Sequence, residues 1–204
     1  AGLPTYLSSG MSTWAEIDKA VEKLCSGGIE LTVMQCTSAY PTAMADVGLN
    51  NIQEIRNRYS TKIGLSDHSG TLYPALAAIA MSVDVVEVHV VFDRMMFGPD
   101  ASSSLTINDM RFLVDYRNAV REMTDNPVDK DCMAEKLSDI RRLFLRSLAP
   151  SKNLVKGDVL TKDVLSLKKP GFGIPADDIG LVVGKKLKED VSMNRLLRWD
   201  DIVD

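Results

Sequence analysis

From Pro4 to Met123 the spacing of apolar residues switches back and forth between that of a strand and that of a helix. Pro4–Ser8 is a short extended run, closed by the small-residue loop SSGMST. Ser12 or Thr13 can cap a helix after this loop, and Glu16 is placed for a capping box. Ile17, Ala20, Val21 and Leu24 recur at helical spacing and predict a helix from Trp14 to about Ser26, stopped by Gly27-Gly28. Glu30–Gln35 reads as a strand that ends in CTSAYPT. A helix over Leu49–Tyr59, with Ile52 and Ile55 inward, leads to a strand at Lys62–Leu65 that ends in SDHSG. The Ala-rich segment Tyr73–Ser82 predicts a helix able to approach a sheet closely. Val83–Val91 is a near-continuous β-branched run, the pattern of a strand buried on both faces. A loop and a helix at about Ile107–Met123 come next.

The order βαβαβαβ implies parallel strands with helices outside them. Every strand runs into a loop rich in small polar or ionisable residues: SSGMS, CTSAYPT, SDHSG and EVHVVFDR. Parallel α/β folds build sites at the C-terminal ends of their strands, so these four loops are expected on one rim. Four βα units amount to half of a barrel. The texture then changes. Asn126–Arg146 is polar and charged, with Leu137, Ile140, Arg141 and Phe144 at helical spacing, and predicts a loop and a linking helix. From Ser147 short apolar pieces alternate with turn residues and lysines, which predicts a compact β-rich unit of about 55 residues. With a boundary near Leu148, the expected organisation is an α/β domain at 1–124, a linker helix region at 125–147 and a small domain at 148–204.

Composition narrows the functional classes. Of 204 residues, 45% are hydrophobic and 25% charged, the balance of a soluble globular protein. A net charge of −4 argues against nucleic acid or an anionic membrane as the main partner. No run approaches the roughly 18 apolar residues that span a bilayer. The opening AGLPTYLSSGM has no basic segment and no long apolar one, so no signal peptide is expected. Cys25, Cys36 and Cys132 have no CxxC spacing and read as reduced thiols of a cytoplasmic protein. Cys36 follows an apolar run and reads as a small core residue. A chain that begins at Ala and opens almost directly on a strand is expected to be a fragment or a processed product.

The candidate chemistry centres on Gly64–Asp100. This stretch holds both histidines, His68 and His89, each close to carboxylates: Asp67 beside the first, Glu87 and Asp93 around the second. Imidazole is the commonest metal ligand, and a nearby carboxylate can orient it or hold a metal-bound water. The competing reading of each is a satisfied core histidine. Two histidines with oxygen partners and no thiolate suit a catalytic Mn²⁺, Mg²⁺ or Zn²⁺ with open water positions. Ser8, Ser9, Thr37, Ser38 and Ser66 could donate to a phosphate at loop-to-helix turns, or could simply cap. Asp100, after Gly-Pro, is either an Asx turn or a carboxylate held over the rim to accept from a polyhydroxylated substrate. Tyr40 either packs or turns its hydroxyl to the site. The lysine pairs Lys168-Lys169 and Lys185-Lys186 usually mark a solvated face, but KKPGFGIP would hold the first in a fixed direction.

The segments LSSGMST, MQCTSAYPT, GLSDHSG, EVHVVFDRMMFGPD with SSSL after it, RSL, KGDVLT, and KKPGFGIP followed by VVGKKL together resemble the sialic acid synthases, N-acetylneuraminate synthase and its relatives. They cover nearly the whole chain in the family's order. The resemblance implies a (β/α)8 TIM barrel, here strands five to eight, followed by an antifreeze-like (SAF) domain. It also implies a reaction: phosphoenolpyruvate condenses with N-acetylmannosamine, or a related N-acyl sugar, to give a nine-carbon 2-keto acid and phosphate. A divalent ion, Mn²⁺ or Mg²⁺, would polarise the sugar aldehyde. Carried over by motif, His68 and His89 match metal ligands. Ser8, Ser38 and Ser66 fall at phosphoenolpyruvate contacts, and Tyr40 lies near the substrates. Asp100 matches a contact to sugar hydroxyls. Phe144 and Arg146 fall near residues lining the site after the barrel. Lys169 stands where many members place an arginine of the SAF domain, which in the family reaches over a partner's barrel, so a domain-swapped homodimer is implied.

The departures carry weight. Val88 interrupts the EKH of many members, Gln35 replaces a frequent His, Ser38 stands where some members have Asn, and Lys169 lacks the bidentate fork of arginine. The family's first four βα units, with phosphate-holding lysines and a catalytic acidic residue, are not in this sequence, so the isolated chain is expected to be inactive. Legionaminic or pseudaminic acid synthesis keeps the chemistry and changes the sugar. A non-catalytic carbohydrate-binding module is the alternative of another class, disfavoured by retention of both histidines, Tyr40 and Asp100.

Overall fold

Thr13 opens the first helix as the sequence predicts. Its side chain accepts from the Glu16 N–H, while the Glu16 carboxylate accepts from the Thr13 backbone and hydroxyl at 2.8 and 2.7 Å. These bonds hold the Glu16 carboxyl below its ordinary value. The computed structural model describes residues 2–203. It divides into two units, one reaching to Pro127 and one from Val128 onward.

The first unit runs β1 (Thr5–Ser8), α1 (Trp14–Ser26), β2 (Leu31–Cys36), α2 (Leu49–Arg58), β3 (Lys62–Asp67), α3 (Tyr73–Ala80), β4 (Val85–Val91), β5 (Ser104–Thr106) and α4 (Ile107–Asp125). The strands form one parallel sheet in the order β1-β2-β3-β4-β5. Because side chains alternate along a strand, its register sorts them onto two faces. Leu31 and Val33 of β2, Ile63 and Leu65 of β3 and Val86 of β4 share the face packed by Ile17 and Val21 of α1, Ile52 and Ile55 of α2 and Ala78 of α3. The opposite face carries a polar row. Cys36 pairs with Ser66, Ser66 with Glu87, and His89 with Ser104.

Three expectations are corrected. β4 is not buried on both faces: Val85, Val86 and Val88 are half-buried and Val90 is 41% exposed. Its β-branched run expresses strand propensity, which does not require two-sided burial. A fifth strand, β5, stands where only a loop was expected; three residues are too few to show a period. The Ala-rich helix ends at Ala80 because Ser82 takes a left-handed backbone conformation, φ 59°.

In the second unit the expected linking helix is two, α5 (Lys130–Lys136) and α6 (Ser138–Phe144), broken where Leu137 leaves helical geometry at φ −100°, ψ 16°. β6 (Ser147–Pro150) pairs antiparallel with β7 (Leu165–Lys168), a one-turn α7 (Ile179–Val182) comes after it, and β8 (Lys186–Leu187) pairs antiparallel with β9 (Ile202–Val203). Leu148, Leu160, Ile174, Val182, Leu187 and Leu197 form its core. Among the described residues no helix is long and apolar enough to cross a membrane.

Asp201 locks the end of this unit. Its carboxylate accepts from Arg195 at 2.8 and 2.9 Å and from the Arg198 N–H at 2.7 Å. Burial pushes the Asp201 carboxyl up, but the hydrogen bonds and charges of Arg195 and Arg198 outweigh it, so the net direction is down. A carboxyl lowered by folding contributes stability above its unfolded value of about 3.9, and loses it as pH falls through the folded value. The melting temperature of this unit is therefore expected to drop as pH falls below about 4. Asp201→Asn should destabilise it by about 1–3 kcal/mol at neutral pH and flatten the acid dependence. Thermal melts of both proteins across acid pH check this.

Candidate functional site

His68 directly follows β3 and His89 lies within β4, and their ring centroids are 5.2 Å apart. His68 is only 4% exposed. Its Nδ1 lies 3.2 Å from the Thr37 carbonyl oxygen, in the loop after β2, and its Nε2 lies 3.2 Å from the Tyr40 hydroxyl in the same loop. The Tyr40 ring flanks both, 4.4 Å from the His68 centroid and 5.8 Å from that of His89. Asp100, from the segment that leads into β5, brings Oδ2 to 3.7 Å from His89 Nδ1. Four predicted site residues, separated by up to sixty positions in the chain, thus gather at the C-terminal ends of neighbouring strands.

The carboxylates expected near the histidines are redistributed. Asp67, adjacent to His68 in sequence, is turned away by strand alternation; Ser69 donates to it from its N–H at 3.1 Å and its hydroxyl at 2.8 Å. Burial pushes the Asp67 carboxyl up, with those hydrogen bonds opposing. Asp93 accepts from the Met95 N–H at 2.7 Å, closing its own turn. Glu87 accepts from the Ser66 hydroxyl at 2.9 Å. The carboxylate that faces His89 is Asp100, eleven residues away in the chain, and its side chain caps nothing locally.

The five small hydroxyl residues separate by role. The Ser9 hydroxyl accepts from the Cys36 N–H at 3.1 Å, and Thr37 donates to the Asp46 carbonyl at 2.7 Å; both are structural. Ser66 is engaged by Glu87. Ser8 and Ser38 converge on Gly10: a Cβ there would stand 2.2 Å from Ser38 Oγ, 3.1 Å from Cys36 Sγ and 3.4 Å from Ser8 Oγ. Ser8 Oγ already accepts from the Gly10 N–H at 3.3 Å. A bare glycine with two hydroxyls and a buried thiol around it forms a small polar cradle beside the histidines, with Cys36 Sγ 4.0 Å from His68 Nδ1.

A second glycine sets the rim. Gly70 has φ +67°, and a Cβ there would meet the Ser102 carbonyl oxygen at 2.2 Å. This approach holds the loop after β3 against the segment that carries Asp100. Arg94 donates to the Gly70 carbonyl and lies 3.7 Å from Asp109. Sequence reasoning missed Gly10, Gly70, Arg94 and the Thr37 carbonyl; the isolated glycines in SSGMS and SDHSG were the available signal. A hollow of about 370 Å³ beside the pair is lined by His89, Phe92, Met96, Phe97, Pro99 and Asp100 among others. A larger groove of about 690 Å³ lies between β4 and α4 and holds none of the predicted site residues.

The spacing of the two rings leaves room for one shared ion. An ion about 2.1 Å from a nitrogen of each imidazole stands about 3.3 Å from each centroid, so rings meeting at 90–110° are about 4.7–5.4 Å apart. The observed 5.2 Å falls in that window. Among the described residues no three His, Cys, Asp or Glu side chains cluster as a closed ligand set. Two nitrogens alone would leave most positions of a six-coordinate ion to water or substrate.

The remaining candidates lie in the second unit. Phe144 ends α6 and is exposed, with the Lys169 ammonium 5.2 Å from its ring centroid. The Arg146 carbonyl accepts from the Ala176 N–H at 3.3 Å.

Residues 1–129 match the NeuB family and residues 146–203 match the SAF domain. The chain is 32% identical to an N,N'-diacetyllegionaminic acid synthase of Legionella pneumophila, with 98% of this chain and 57% of that protein covered. It is 31% identical to a pseudaminic acid synthase of Campylobacter jejuni, with 97% and 57% covered. The structure of an N-acetylneuraminic acid (sialic acid) synthetase from Leptospira borgpetersenii superposes with a TM-score of 0.61 at 26% identity, over 70% of this chain and 50% of that one. The chain thus spans under two thirds of the length of these relatives. With the family model covering most of the α/β unit and the SAF model the C-terminal unit, the chain belongs to the NeuB family of sialic acid synthases.

Proposed function

We propose that this chain is the C-terminal portion of a synthase that condenses phosphoenolpyruvate with an N-acyl sugar aldehyde, giving a nine-carbon 2-keto acid and phosphate. A carbon–carbon bond forms between C3 of phosphoenolpyruvate and the aldehyde carbon, and water takes the place of the departing phosphate. The observation that carries the reading is the convergence of Tyr40, His68, His89 and Asp100 at the ends of parallel strands in a chain of this family. The sheet of the first unit supplies the second half of a TIM barrel in this reading.

His68 and His89 would hold a divalent ion, Mn²⁺ or Mg²⁺, whose chemistry is Lewis-acid polarisation of the aldehyde. The chain's own groups do the rest. The Ser8–Ser38 cradle and Ser66 offer hydroxyls to the phosphate or carboxylate of phosphoenolpyruvate; the Ser66 hydroxyl must turn from Glu87 to donate. Asp100 accepts from sugar hydroxyls. In the complete protein Phe144 and Arg146 line the site from the segment after the barrel, and Lys169 belongs to a SAF domain that closes over a partner's site in a domain-swapped homodimer. The similarity to legionaminic and pseudaminic acid synthases favours a second reading of the sugar, a bacterial diacylated one in place of N-acetylmannosamine.

The isolated 204-residue chain should form no keto acid from phosphoenolpyruvate and any N-acyl hexose. The protein completed with a barrel N-terminal half should do so only with a divalent ion. Assay of both against a panel of N-acyl sugars decides the matter. Turnover by the isolated chain, or none by the completed protein with any sugar, would overturn the proposal.

A further inference from the structure

We infer that Asp100 is a positioning residue for His89, holding the ring hydrogen on Nδ1 so that Nε2 is presented to the ion, as the Thr37 carbonyl does for His68. The inference rests on the metal reading above and assigns Asp100 a task besides contact with a substrate.

A neutral imidazole carries one hydrogen, so one ring nitrogen donates and the other is left with a lone pair. Which is which depends on what each nitrogen faces. His68 Nδ1 faces a backbone carbonyl oxygen at 3.2 Å, an acceptor that never donates, so the hydrogen belongs on Nδ1. His89 Nδ1 faces Asp100 Oδ2 at 3.7 Å. That distance is too long for a formed hydrogen bond, so the contact acts through charge. The tautomer with a lone pair on Nδ1 would set it against a carboxylate, whereas the Nδ1–H tautomer sets a positive edge against it. Each ring therefore has an oxygen behind Nδ1. Metal-binding histidines take this form, with the second ring nitrogen held by a carboxylate or carbonyl that fixes the ring and raises its basicity.

Asp100 is free for this task and held in place for it. Its side chain makes no capping bond to the turn it begins. Its carbonyl oxygen accepts from the Ser104 hydroxyl at 2.6 Å and from the Ser103 N–H at 3.0 Å, which anchors the backbone. Ser102, two residues on, is locked against Gly70. With Oδ2 toward His89, Oδ1 remains for a sugar hydroxyl, so both tasks fit one carboxylate. The two supports differ in kind: His68 relies on fixed backbone, His89 on a half-exposed side chain. Substitution of Asp100 should therefore disturb one ring and spare the other.

The chain has only two histidines, so their ring nitrogens can be resolved in the ¹⁵N-labelled chain. Long-range ¹H–¹⁵N correlation spectra, taken with both rings titrated to the neutral form, should show Nδ1–H at both. Asp100→Ala should shift His89 toward a mixture of tautomers and leave His68 unchanged. Asp100→Asn, which keeps the shape but removes the charge, should shift His89 nearly as far. Mn²⁺ affinity, read from the spin-resonance signal of free Mn²⁺, should fall about 10–100-fold in Asp100→Ala and by a comparable factor in Asp100→Asn. An unaltered His89 tautomer with unaltered Mn²⁺ affinity in Asp100→Ala would overturn the inference and leave Asp100 a substrate contact alone. Absence of Mn²⁺ binding by the unsubstituted chain would instead overturn the metal reading, while the tautomer spectra still decide the Asp100–His89 coupling.

Discussion

Alanine at His68 or at His89 is expected to cut the affinity of the chain for Mn²⁺ by more than about 100-fold, because loss of a mere outer partner already costs 10–100-fold. The two variants differ in what else they lose. His68 is almost fully buried, and its ring fills space between the Thr37 carbonyl, Cys36 and Tyr40. Its removal leaves a cavity, so His68→Ala should also destabilise the first unit by about 2–4 kcal/mol. The His89 side chain is 32% exposed, so His89→Ala should lose the ion with little loss of stability. A purely structural pair of histidines predicts the reverse: stability changes with no change in ion binding. Mn²⁺ titration beside thermal melts of both variants separates the two accounts.

The second large effect is expected at Gly70. Alanine there meets two penalties at once. A side chain at φ +67° costs about 1–2 kcal/mol, and a Cβ 2.2 Å from the Ser102 carbonyl forces backbone apart at about 1–3 kcal/mol. Gly70→Ala should therefore lower stability by about 2–5 kcal/mol. Either the loop carrying His68 retreats, which parts His68 from His89, or the segment carrying Asp100 retreats, which widens the 3.7 Å contact at His89. Mn²⁺ affinity should fall with stability. Gly98→Ala is the control, since a Cβ there meets nothing within 4 Å and should change stability by less than about 0.5 kcal/mol. A denaturant midpoint for Gly70→Ala equal to that of Gly98→Ala would remove the proposed clamp.

Much of the first unit is legible in the sequence because its strands and helices are long enough to show a period. The Thr13–Glu16 capping box, Ile17 and Val21 of α1, and Ile52 and Ile55 of α2 emerge from spacing alone. The gathering of Tyr40, His68, His89 and Asp100 is legible too, since loops at the C-terminal ends of parallel strands share a rim. Partner identity is not. Nearness in sequence points to Asp67, yet adjacent residues of a strand face opposite sides, and the nearby carboxylate comes from Asp100. β5 escapes notice because three residues carry no period, and Gly70 because its reason is a carbonyl thirty-two positions away. In β4 a β-branched run suggests two-sided burial, whereas strand propensity and burial are separate properties.

The central claim is that His68 and His89 share one ion. The most direct measurement is an anomalous difference map from crystals of the chain soaked in Mn²⁺. The account predicts one peak between the two imidazoles, within about 2.2 Å of a nitrogen of each. No peak at the pair, or a peak on one ring alone with the other turned away, would contradict it.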